Sequence, residues 1–259
     1  MRRIALVAVA AVALVATACT GDDDDDDATP TTTSATTEPT VVTTDEAEPA
    51  APTFTFGVLA PGDAALDELA IGQQRGLTVA LDDINAAGGV LGGPVTSVQV
   101  EESVDEPLAT TLEALAAESD AIVGPVSSAT AVEVAALARD QELLVCSASA
   151  TASSVTADGV AASFFRTAMR DDDTAAAVAD RVMDVDADDP PPGTVMVVGR
   201  DDVYGTQLAG ALSAELAARG ASTDTLLYPA RRVEFEEEVA AITAADPDVV
   251  VLAAFGEGI

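Results

Sequence analysis

From Thr53 onward the chain alternates short apolar runs with stretches whose apolar residues recur every three or four positions. "FTFGVLA" (54–60) is an apolar run closed by Pro61 and Gly62, and it predicts a buried strand. From Leu66 to Ala87, Leu69, Gly76, Leu77, Ala80, Leu81 and Ile84 fall at helical spacing. The same reading predicts strands at 94–101, 120–124 and 142–147, with helices at 107–118 and 128–139 between them. "ASFFRTA" (162–168) is a short extended segment. A second series follows: a helix over 171–185, a break at "DADDPPPG" (186–193), strands at 194–199, 221–228 and 248–254, and helices at 203–219 and 234–245.

Repeated alternation of strand and helix predicts parallel sheets with helices on both faces. The expected fold class is therefore α/β, with two doubly wound lobes divided near residue 170. The second lobe carries only about three strands before the sequence stops at "FGEGI", few for a doubly wound sheet. It reads as incomplete, a piece of a longer chain with a bare strand at its edge.

The stretch "DDINAAGGVLGGPV" (82–95) holds two glycine pairs. A phosphate cradle runs strand, glycines, helix N-terminus. Here the order is reversed, so the glycines are expected to end a helix and turn the chain into a strand. Val90 and Leu91 are expected to fold back on that helix end.

The first 52 residues behave differently. "MRRIALVAVAAVALVATACTG" (1–21) has two arginines, an apolar run of fifteen residues and small residues before Cys19. It has the form of a secretory signal, and the run is short for a bilayer span. It resembles the bacterial lipoprotein signal, which implies lipidation of Cys19; Ala16 stands where leucine is common. Residues 19–52 contain six consecutive aspartates and a Thr/Pro/Ala/Glu tract, too poor in large apolar residues to bury a core. The expected organisation is signal (1–18), disordered acidic tether (19–52), first lobe (53–169) and partial second lobe (170–259).

Composition removes several function classes. The chain of 259 residues has a formal net charge of −34, no His and, among its 11 basic residues, no Lys. Such a chain is not built to hold nucleic acid through phosphate contacts. His-based metal sites, Ser-His and Cys-His nucleophile pairs, and a Gly-Lys-Ser/Thr phosphate loop are absent. No cofactor and no metal are expected, and an enzyme is disfavoured. Cys146, in an apolar strand, is expected to be a buried small hydrophobe.

Taken in order, "FGVLAP", "GLTVALDDINAAGGVLGGPV", "AIVGPVSSATA", "FFRTAMRDD", "DVYGTQLA" and "DPDVVVLAAFGEG" resemble the branched-chain amino-acid-binding (Leu/Ile/Val-binding-like) family. That family has the periplasmic-binding-protein type I fold, and its members are substrate-binding receptors of ABC importers. The resemblance runs from about Phe54 to Gly258. It implies two lobes joined by three crossovers, closing by hinge motion on a small polar metabolite, an amino acid being expected.

Ligands of parallel sheets lie beyond the carboxyl ends of the strands. Ser128, at a helix start, has the backbone setting and hydroxyl to favour a carboxylate. The resemblance assigns Ser149, Ala150 and Thr151 to ligand carboxylate and ammonium, and brings in Tyr204 and Phe255 from the second lobe, Phe255 near the ammonium. Ser128 as a simple helix cap and Ser149 and Thr151 as ordinary loop residues are the bland alternatives. Ile71 replaces an aromatic common in the first loop. Val104 and Ser127 stand where some relatives carry a disulfide. The acidic partner of the ammonium would lie beyond Ile259.

The leading expectation is an extracytoplasmic, lipid-anchored receptor that hands its ligand to an ABC permease. A ligand-sensing receptor with the same lobes is the alternative. Amides, urea and aromatic acids are further ligand classes of the family.

Overall fold

The computed structural model describes residues 5–8, 51–103, 105–157, 163–184 and 190–256. Cys19, the expected tether up to residue 50, Val104, residues 186–189 of the expected break and Ile259 lie outside the described residues.

In chain order the elements are β1 (Ala5–Ala8), β2 (Phe54–Ala60), α1 (Asp67–Ala86), β3 (Val95–Glu101), α2 (Leu108–Ala117), β4 (Ala121–Val123), α3 (Ser128–Gln141) and β5 (Val145–Ser147). They continue with β6 (Phe164–Arg166), α4 (Asp171–Met183), β7 (Thr194–Asp201), α5 (Val203–Ala218), β8 (Ser222–Pro229), α6 (Glu236–Ala245) and β9 (Val249–Ala253). Short 3-10 turns at Ala64–Leu66 and Ser153–Thr156 sit in the loops after β2 and β5.

Two sheets result. One has five strands in the order β3-β2-β4-β5-β6 and the other four in the order β1-β9-β7-β8. Every pairing is parallel.

β7 illustrates why both faces must be covered. Its Val195 and Val197 pack with Leu208, Leu212 and Leu216 of α5 and Ala175 and Ala179 of α4. Met196 and Val198, pointing the other way, pack with Tyr228 and Val250, with Phe235 at the start of α6 and with Ile242 within it. A strand buried on both sides reads as a continuous apolar run, which is what "VMVV" is. In the five-stranded sheet Leu59, Ile122 and Val145 meet Leu112 and Leu115 of α2 and Val134 of α3 in one buried cluster. Each such leucine or isoleucine stabilises the fold by about 1.5–3 kcal/mol through burial.

The glycine pairs end α1 as expected. Gly88, Gly89 and Gly92 all have positive φ. Val90 and Gly93 bridge each other with two 2.9 Å backbone hydrogen bonds. A side chain on Gly89 would run into the carbonyl of Gly93. Leu91 departs from the expectation: at φ 52 on the tip of this turn it points outward and is 86% exposed. The start of β3 is set instead by Asn85, whose amide accepts from Val95 N (2.7 Å) and donates to Val95 O (2.8 Å).

Other differences have local causes. β5 starts later than expected because Glu142 takes a left-handed backbone (φ 57) as the cap of α3. No residue of α1 is fully buried; Leu69, Leu77, Leu81 and Ile84 are half-buried, while Gly76 and Ala80 are exposed. The bare edge expected beside β9 is covered in this structure. Ala5–Ala8, from the apolar run at the N-terminus, pairs there in parallel register, giving the backbone groups of β9 a partner.

Candidate functional site

Each sheet has one place where the strand order reverses, and loops on either side of such a switch point diverge to leave a crevice. In the five-stranded sheet it lies between β2 and β4, and in the other between β7 and β9. The loops leaving these strands carry Asp63 after β2, Ser127 and Ser128 after β4, Asp202 and Tyr204 after β7 and Phe255 after β9, with Arg200 in the last turn of β7. The two switch points meet. Arg200 donates to Asp63 across the lobes. Gln207 of α5 binds Ser154, its Oε1 accepting from the amide at 3.2 Å and its Nε2 donating to the hydroxyl at 2.6 Å.

A cavity of about 280 Å³ opens between the lobes. Asp63, Glu102, Ser127, Arg200, Asp202 and Arg231 supply its polar lining. That volume lies near the lower end for a small-molecule site. None of Ser128, Ser149, Ala150, Thr151, Tyr204 or Phe255 lines it; Ser128 lies between the lining residues Ser127 and Ala129, and the Phe255 ring lies against the lining Arg200.

On the first lobe the cap of α3 is Ser127, whose hydroxyl accepts from Thr130 N at 3.0 Å. Ser128 is therefore free of capping duty. It is buried, and its Oγ accepts from Thr151 N and Ala152 N, both at 3.2 Å. The structure thus brings Ser128 and Thr151 together, as the sequence suggested. Ser149 spends its hydroxyl on Val126 O (2.8 Å), and Ala150 is fully buried, its N–H donating to Ser147 Oγ at 3.0 Å.

Two residues not singled out in the sequence hold this loop. Arg166 Nη1 donates to Ala150 O (3.2 Å) and Ala152 O (2.9 Å), and its Nη2 donates to Thr156. Asp171, at the first turn of α4, donates its N–H to Thr151 O at 3.0 Å. The Asp171 side chain is buried, and neither of its carboxylate oxygens has a well-formed hydrogen bond; the Thr151 hydroxyl beside it is in the same position. Burial pushes the Asp171 carboxyl above its ordinary range, with Thr151 and Arg166 pulling the other way. The "FFRT" and "RDDD" segments contained both residues, yet in a chain with 45 acids an aspartate carries no signal of its own.

On the second lobe Tyr204 and Phe255 stack with ring centroids 4.7 Å apart. The guanidinium of Arg200 lies over the Phe255 ring, 5.2 Å from its centroid. The cation expected at Phe255 from a ligand is therefore supplied here by the chain itself. Glu102 accepts from Thr130 Oγ1 (2.9 Å), which in turn accepts from Ser127 (2.8 Å). Burial raises the Glu102 carboxyl, Thr130 opposes the shift and Asp63 adds to it. Cys146 is half-buried and free, and burial raises its thiol.

Among the described residues no cluster of three or more metal-ligating side chains occurs, and no helix is long and apolar enough to cross a membrane.

Two parallel α/β lobes whose switch points face each other across a polar cavity define the architecture of a two-lobe solute-binding protein. The chain belongs to the periplasmic binding protein family, which residues 53–259 match. It is 31% identical over 169 residues to the Leu/Ile/Val-binding protein BraC3 of Rhizobium johnstonii, covering 64% of this chain and 44% of that one. Its fold is similar to an ABC transporter substrate-binding protein from Desulfitobacterium hafniense in complex with Leu (TM-score 0.59, 20% identity, 78% of this chain and 58% of that one). It is also similar to a solute-binding protein of an ABC transporter from R. palustris in complex with benzoate (TM-score 0.68, 21% identity, 78% and 55%). The chain thus spans about half the length of the proteins it resembles.

Proposed function

We propose that this chain is part of the extracytoplasmic receptor of an ABC importer, binding a small carboxylate-bearing metabolite between its lobes and passing it to a permease. The observation that carries this reading is the meeting of the two switch points, Asp63 and Ser127 on one side and Arg200 and Asp202 on the other, around a cavity of about 280 Å³. Membership of the periplasmic binding protein family supports the extracytoplasmic setting. Lipidation of Cys19 would supply the anchor.

A branched-chain amino acid is the ligand the site supports best. Ser128, between the lining residues Ser127 and Ala129, and Thr151, bonded to it, are the candidates for its carboxylate. The Thr151 hydroxyl and the buried Asp171 carboxylate lie side by side as a donor and an acceptor suited to an ammonium carboxylate. The similarity to BraC3 agrees. An aromatic acid is the second reading. It is favoured by the stacked Tyr204–Phe255 wall and by the benzoate complex of the R. palustris protein.

A thermal-shift screen of the full receptor chain with leucine, isoleucine, valine, benzoate, urea and small amides separates these readings. Selective stabilisation by the branched-chain amino acids is expected. Stabilisation by benzoate alone moves the reading to aromatic acids, and none by any carboxylate overturns it.

A further inference from the structure

We propose that Asp63 and Arg200 form a latch across the cleft, and that Arg200 is a positioning residue that couples closure of the lobes to the placement of Phe255. The inference rests on the two-lobe receptor reading but is independent of which ligand is bound.

Arg200 is the penultimate residue of β7 and only 4% exposed, whereas most arginines among the described residues lie at the surface. Its neighbours come from different places. Asp202, at 2.8 Å from Nε, belongs to the same lobe and caps α5 by accepting from Gly205 N. Phe255 follows β9, also in that lobe. Asp63 belongs to the other lobe, where it follows β2 and caps the 3-10 turn at Ala64–Leu66. Arg231, after β8, reaches the same carboxylate at 3.9 Å.

A guanidinium buried by contact with the opposite lobe loses water that it would regain if the cleft opened. Its charge is matched in the closed form by a carboxylate that the open form would remove. Truncating either partner removes an ion pair that only the closed form makes, while Asp202 still faces the guanidinium within its own lobe. The pair therefore acts on the balance between closed and open lobes. The same guanidinium lies on the Phe255 ring, so closure and the setting of the Tyr204–Phe255 wall share one side chain. The backbone leaves little slack. Gly205 approaches so closely that a side chain there would collide with the Arg200 backbone.

The test is the distance between nitroxide labels on the exposed Glu133 of α3 and Ala240 of α6. It is measured in the ligand-free full receptor chain, with Cys19→Ser, Cys146→Ser and the replacement of any cysteine outside residues 1–259 leaving only the labelled positions reactive. Asp63→Asn and Arg200→Gln should each lengthen the distance and raise the open fraction about three- to tenfold. The double variant should go no further than either single. Asp180→Asn breaks an ion pair within one lobe, to Arg219 at 2.8 Å, and should leave the distance unchanged. An unchanged distance in Asp63→Asn, additive effects of the two singles, or equal opening by Asp180→Asn overturns the proposal. If Arg200→Gln does not fold, Asp63→Asn decides the matter, since that carboxylate is at the cleft surface. Titration with L-leucine and with benzoate is read separately: a latch that responds as stated in a protein binding neither probe retains the latch and removes the ligand reading.

Discussion

The Oγ of Ser128 lies 3.2 Å from the backbone nitrogen of Thr151 and equally far from that of Ala152, so one hydroxyl joins the loop after β4 to the loop after β5. With these two amides donating to its oxygen, the Ser128 hydroxyl keeps its proton to donate to a carboxylate. Ser128→Ala removes their partner. It should cost about 1–3 kcal/mol of stability and weaken a carboxylate ligand roughly ten- to a hundredfold. Ser149→Ala should cost about 1 kcal/mol of stability while leaving affinity nearly unchanged, because its hydroxyl is already spent on Val126 O. Thermal unfolding and calorimetric titration of both variants check the contrast.

Asp171 should trade stability for binding. Its carboxyl is raised in the folded state, chiefly by burial. The folded protein therefore holds a proton there more tightly than the unfolded chain does. The favourable contribution is complete below the ordinary value of 3.8 and is lost as pH rises through the folded value. Asp171→Asn should accordingly stabilise the protein at neutral pH, and the gain should disappear as the pH falls through that window. The same variant should weaken an amino-acid ligand more than its deaminated analogue. Melting temperatures at pH 7 and pH 3.5, set beside the two affinities, give the answer. Destabilisation at neutral pH would mean that the carboxylate is held by partners stronger than Thr151.

Asp63 runs the opposite way. Burial alone would raise its carboxyl, but Arg200, the Ala65 amide and Arg231 together hold it below the ordinary range. Its contribution is present above the unfolded value and is lost as the pH falls through the folded one. The stability advantage of the parent over the Asp63→Asn variant should therefore be full at neutral pH and should vanish in acid. Denaturant unfolding of the two proteins at the two pH values measures it.

Two glycines of the same lobe should respond in opposite directions. Gly205→Ala would drive a methyl group into the Arg200 backbone and should unfold or severely destabilise the second lobe. Gly210→Ala, in the same helix with nothing within 4 Å of the new methyl, should stabilise by about 0.4–1 kcal/mol. Equal effects of the two in a melting experiment would contradict the packing around β7.

The elements were legible because their signals are local. "VMVV" must be a strand buried on both faces, and the glycine pairs after Ile84 can only end a helix of that phase. The loops of the site were legible for the same reason, since each follows a strand. What stayed hidden depends on pairs far apart in sequence. Asp63 and Arg200 are 137 residues apart, and in so acidic a chain nothing marks one aspartate as the partner of a buried arginine. The roles of Ser127 and Ser128 were interchangeable in sequence. Only the backbone decides that Ser127 caps α3 and leaves Ser128 to the neighbouring loop. As an apolar residue Leu91 reads as one that folds back on the helix end, whereas the tight turn with positive φ decides where its side chain goes.

The proposed ligand carboxylate is held by the first-lobe loops around Ser128 and Thr151. Calorimetric titration of the full receptor chain with leucine and with leucinamide, and with benzoate and benzamide, isolates that contact, because each amide keeps the size of its acid and loses the negative charge. The acid of one pair should bind at least tenfold more tightly than its amide, and Thr151→Ala should remove most of that difference. Equal binding of acid and amide, or a difference untouched by Thr151→Ala, would contradict it.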